Sequence, residues 1–110
     1  VNAEGLRTLA LSLPEAVEKE TWGEATFRVR DKIFLMLAPD GKSGSFKCSS
    51  EEQEALVRSD PKTFEVAPYV GRYGWVKFRT SRVKTDEMRE LVTEAWRMTA
   101  PKRLSNAFDA

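Results

Sequence analysis

Between Ala16 and Cys48 the chain alternates strand-like segments with connections of two to four residues, a spacing that admits little besides an antiparallel meander. Thr26 to Arg30 alternates, placing Phe27 and Val29 on one face and Thr26, Arg28 and Arg30 on the other. Asp31-Lys32 turns the chain into Ile33-Phe34-Leu35-Met36-Leu37, which has no polar face. A strand of that kind is central and covered on both sides, or lies under a loop. Pro39-Asp40-Gly41-Lys42 is a turn, and Ser43 to Cys48 returns as a further strand. Ahead of these, Ala16 to Trp22 reads as an edge strand whose Glu18, Lys19 and Glu20 discourage pairing with other chains, followed by a turn at Gly23-Glu24.

Helical periodicity brackets this meander. Asn2 caps a first helix with Leu6, Leu9, Ala10 and Leu13 on one face, and Pro14 stops it near Leu13. Ser50 with Gln53, or Ser49 with Glu52, forms a capping box for a second helix running to about Ser59, before Asp60-Pro61. Phe64 and Val66 lead into Tyr69 to Arg79, whose second half alternates as a strand. Thr85 then caps the most amphipathic helix, built on Met88, Leu91, Val92, Ala95, Trp96 and Thr99 and ended by Pro101. Ser105 to Ala110 reads as a frayed tail or one short turn. The fold class expected is α+β: one domain over residues 1–110, with an antiparallel sheet of four to six strands and the helices on one face.

Composition narrows the chemistry. There is no histidine, which removes Ser-His-Asp and Cys-His catalysis and the common zinc sites. Cys48 is the single cysteine, so no internal disulfide forms. No apolar run approaches the roughly 18 residues of a spanning helix, and the opening residues do not read as a signal peptide, so a cytoplasmic protein is expected. Net charge is only +1, but the balances over 1–31, 32–65 and 66–110 are −2, −1 and +4. Positive charge therefore gathers in the last segment, with Tyr69 to Arg79.

Strand parity sorts charge from core. With Phe27, Val29, Phe46, Val76 and Phe78 toward the helices, the opposite face carries Arg28, Arg30, Lys47, Trp75, Lys77 and Arg79. Cations beside an aromatic suit phosphate backbones and unstacked bases. A solvated antiparallel face is ordinarily charged, but one without acids of its own is less ordinary. Tyr73 is a second ring for stacking, and Arg72, Lys102 and Arg103 are peripheral cations. Gly71 and Gly74 read as a turn needing positive φ, since no phosphate-binding glycine signature is followed by a helix. Glu51, Glu52 and Glu54 favour a helix N-terminus, and one helix turn cannot supply a metal site. Cys48 shares the parity of Phe46 and points inward.

Trp22 with Thr26-Phe27-Arg28-Val29, Lys47-Cys48 before a Glu-rich helix, Gly74-Trp75-Val76, and Trp96 followed by Ala100-Pro101-Lys102-Arg103-Leu104 occur here in one order. In that order they resemble the MmcQ/YjbR family of small bacterial proteins, over Leu6 to Leu104. The resemblance implies a CyaY-like, double-wing fold and DNA binding, and it brings no catalytic residues. The frataxin-like proteins of that fold bind iron through an acidic ridge. The first helix here has only Glu4 and Glu15 nearby, so that role is not transferred.

The expected function is a non-enzymatic, monomeric nucleic-acid-binding module with no cofactor, metal or membrane partner. Arg28, Arg30, Lys47, Lys77 and Arg79 would contact DNA phosphates, with Trp75 or Tyr73 stacking. A protein partner on the same Trp75 and arginine face, or a small anion at the Tyr69–Trp75 loop, are the alternatives.

Overall fold

A computed structural model describes residues 1–110. Helix α1 (Ala3–Leu11) precedes a meander of β1 (Ala16–Thr21), β2 (Glu24–Val29), β3 (Lys32–Leu37) and β4 (Ser43–Phe46). Helix α2 (Ser50–Ser59), the short β5 (Phe64–Val66) and β6 (Val76–Arg79) follow, then α3 (Thr85–Thr99) and α4 (Lys102–Asp109). The six strands form one sheet in the order β1-β2-β3-β4-β6-β5, antiparallel at every pairing. The architecture is α+β.

The first two hairpins turn on two residues each, both at positive φ: Trp22 (51°) with Gly23 (84°), and Arg30 (49°) with Asp31 (68°). Two-residue loops of this hand match the twist of the flanking strands. Both turns lie one residue earlier than the sequence suggests. Val29 therefore ends β2 and pairs with Lys32, so Arg30 leaves the sheet, and Trp22 stands at a hairpin tip, 99% exposed.

Parity holds along the core. Phe27 pairs with Leu35, Leu35 with Phe46 and Phe46 with Val76, and all four are buried. A register shift in the β2–β3 pairing explains the apolar run of β3. It accommodates one extra residue, so Phe34 and Leu35 are both buried, while Ile33 and Met36 are half-buried. Phe46 packs its ring on Phe78 (5.6 Å) and edge-on to Phe64 (6.5 Å). Helix α3 closes this layer with Met88, Val92, Ala95 and Trp96, and the Trp96 indole donates to the Pro14 carbonyl at 3.0 Å. Each fully buried side chain of this size contributes about 1.5–3 kcal/mol.

Helix ends follow local chemistry. Asn2 Oδ1 accepts from Gly5 N at 2.8 Å, and Ser49 Oγ accepts from Glu52 N at 3.1 Å. α1 stops at Leu11, short of the expected Leu13. Lys84, not Thr85, occupies the N-cap of α3, without a side-chain cap. The C-terminal residues form a helix, not a frayed tail. Leu104 packs against the core and Phe108 meets Trp96 at 5.1 Å, so the i, i+4 pair holds α4 on α3.

Candidate functional site

The open face of the sheet is built by alternation from Lys19 and Thr26, then Met36 and Ser45, then Lys77 and Glu65, which are successive partners across the six strands. Its two ends differ in charge. At the β1–β2 end, Arg28 is mostly covered, its side chain 18% exposed, and donates to Thr26 and Thr21 while lying 3.7 Å from Asp31. Lys19 reaches the same carboxylate at 3.5 Å. Arg30 makes a bidentate pair with Glu15, at 2.5 and 3.1 Å. Its hydrogen bonds hold the Glu15 carboxyl below the usual range.

Trp75 does not join an exposed face. It shares the alternation of Lys77 and Arg79 but is only 9% exposed and lies outside the main core cluster. The connection after β5 begins beside it, with the Ala67 amide donating to the Trp75 carbonyl at 3.1 Å. Gln53 of α2 donates to the Trp75 and Gly71 carbonyls at 2.9 and 2.7 Å. Gly74, at φ 96°, is where this connection passes under the end of β4. A Cβ there would meet the Cys48 carbonyl oxygen at 2.0 Å, so only glycine fits. Arg72 and Tyr73 are exposed on the 3₁₀ turn Gly71–Tyr73, the guanidinium 4.9 Å from the ring centre.

At the opposite end the charges collect. Lys42, Lys62, Lys77, Arg79 and Arg82 line one open groove of about 540 Å³, in which Glu65 is the only acid. Two backbone hydrogen bonds and one between side chains bring the segments together: Thr80 N donates to Lys42 O (3.0 Å), Arg79 N to Thr63 O (3.1 Å) and Arg82 Nε to Thr63 Oγ1 (2.9 Å). Two of the cations have distant acid neighbours, Lys77 with Glu65 at 3.7 Å and Arg82 with Asp60 at 3.9 Å. Lys42, Lys62 and Arg79 form no ion pair.

Of the ten residues singled out from sequence, the groove therefore contains Lys77 and Arg79. Lys47 follows the other end of β4, about 13 Å away at the strand rise from Ser43, which pairs with Arg79. Lys102 and Arg103 begin α4, on the helical layer behind the sheet. Lys42, Lys62 and Arg82 escaped the sequence reading because they sit on turns and a 3₁₀ segment, where no periodicity assigns a face. The one available signal was a pairing of β6 with β4, which sets the Lys42 turn beside Arg79.

Cys48 is buried, and burial, followed by the nearby Glu52 charge, pushes its thiol up to about 11, so it is protonated at neutral pH and a poor nucleophile. No group of three His, Cys, Asp or Glu side chains is arranged to hold a metal ion. No helix is long and apolar enough to cross a membrane.

Uncharacterized proteins of Mycobacterium bovis and Mycobacterium tuberculosis are 34% identical over 71 residues, 64% of this chain and 55% of theirs, so the match spans little more than half of those relatives. The crystal structure of Deinococcus radiodurans protein DR2400, a DUF419 domain, superposes with a TM-score of 0.80. That likeness covers 88% of this chain and 77% of the other at 18% identity, which speaks to the fold alone. The YjbR family model matches residues 11–98, the whole sheet together with α2 and nearly all of α3, and the chain belongs to the YjbR family.

Proposed function

We propose that this chain is a non-catalytic nucleic-acid-binding module whose phosphate contacts come from the groove beside β6, with DNA as the first partner to test. The observation that carries this reading is the convergence of five cations from three stretches of chain on one groove lined by a single acid. Such a groove attracts a phosphate backbone and releases its counterions. The groove is open and lined mainly by cationic and polar side chains, which suits a bound polyanion. A protein interface centred on Trp75 has less support, because that ring is buried. An anion cradle at the Tyr69–Trp75 loop is disfavoured too: the Val70, Tyr73 and Gly74 amides already donate to Pro68, Val70 and Gly71.

Salt dependence is the test. Anisotropy of a labelled DNA should show log K falling linearly with log salt, by about 0.7–0.9 per phosphate contacted. Lys42→Ala with Arg79→Ala should flatten that slope by about two contacts' worth. Binding indifferent to salt and to both changes would sink the proposal.

A further inference from the structure

The Tyr69 ring packs against nothing that would account for its backbone conformation. Pro68 O accepts from Val70 N at 2.7 Å with Tyr69 between them at φ 64°, the rare and strained form of γ-turn. Glycine suits that position best, yet it holds an aromatic ring that is 96% exposed. Strain that no burial offsets points toward a role outside the fold.

The turn overhangs the open face. Pro68, Tyr69 and Val70 form one wall of a second groove, of about 500 Å³, with Met36 and Ser45 along its floor. Ser43 and Lys77 line both this groove and the basic one, so the two adjoin. One half is cationic and the other mainly apolar, with Glu24 as its one acid and the Tyr69 ring at its rim. A polymer that carries a flat ring beside each phosphate matches both halves at once.

We propose that the occupant is a single strand of nucleic acid, its phosphates along Lys42, Lys77 and Arg79 and its unpaired bases in the second groove, stacked on Tyr69. This rests on the nucleic-acid reading above and narrows it. A duplex keeps its base faces inside its own stack and engages the cationic half alone. Base stacking tolerates sequence, so affinity should depend little on which bases are offered.

The experiment compares labelled oligo-dT, oligo-rU and a mixed-sequence DNA duplex, each of about 20 nucleotides, a length exceeding a typical single-strand site. Single strands should bind more tightly than duplex. Tyr69→Ala should weaken single-strand binding roughly 5- to 150-fold while leaving duplex binding and the salt slope unchanged, and Tyr69→Phe should retain it. The ring is exposed, so an unchanged thermal melt verifies that the variant folds. Equal binding of strand and duplex with no effect of Tyr69→Ala would overturn this inference and leave the basic-groove reading standing. Weakening of strand and duplex by one common factor would also overturn it. No binding to any of the three would overturn both.

Discussion

At the β1–β2 end of the sheet, Lys19 and Arg28, with Arg30 on the adjoining turn, each lie beside a carboxylate, whereas at the β6–β5 end Lys42, Lys62 and Arg79 do not. Both regions are antiparallel, and both are rich in cations. They differ in how the chain reaches them. The first is made of consecutive strands joined by two-residue turns, and the hairpin pairing sets Glu15 beside Arg30 and Asp31 beside Lys19 and Arg28. The second is made by β6 entering beside β4, which gathers cations from segments otherwise far apart. Exposed ion pairs contribute little to stability, about 0–1 kcal/mol. Their larger effect here is to cancel the field at one end of the face and leave it intact at the other.

The strongest test of this contrast is to reverse charge at each end in turn. Lys42→Glu with Arg79→Glu should lower DNA affinity by about 100-fold at about 50 mM salt, while Lys19→Glu with Arg30→Glu should change it by less than about 3-fold. Comparable losses at both ends, measured by anisotropy, would erase the distinction. A smaller effect follows from the acid beside Lys77. Glu65→Gln frees that ammonium and should tighten binding about 2- to 5-fold, the scale of one exposed pair. Weaker binding would mean that Glu65 itself touches the ligand.

The smallest effect is a shift in one carboxyl titration. In the folded protein the Arg30 hydrogen bonds hold Glu15 below its unfolded value. The stability linked to that shift is present above the unfolded pKa and lost as pH falls through the folded one. Arg30→Ala should raise the Glu15 midpoint, followed by carboxyl NMR, and leave DNA affinity unchanged. A midpoint that stays low would show that another group holds it.

Much of the fold was legible because it rests on periodicity. The faces of α1 and α3 and the inward parity of Phe27, Val29, Phe46, Val76 and Phe78 follow from local spacing. The helix at Lys102–Asp109 was missed because Ser105 and Asn106 dilute its pattern, and its anchors, Leu104 and Phe108, matter only once Trp96 is beside them. The site was less legible for a related reason. Parity assigns Lys77 and Arg79 to the open face but says nothing of which acids stand opposite a cation, or of a loop that returns toward the face. Arg30 shows how little it takes: one residue's shift in a turn moved it from the face to a pair with Glu15.

The place of β6 between β4 and β5 also orders assembly. The meander closes through short loops, whereas β6 joins β4 only after α2, β5 and the connection behind them have been spanned. Loop closure of that length is slower and costs more entropy, so β6 joins β4 after the meander and carries with it β5, whose one strand partner is β6. The basic groove comes into being with that last step. A copy in which β6 has not yet docked presents only the meander, whose charges cancel, and lacks the groove.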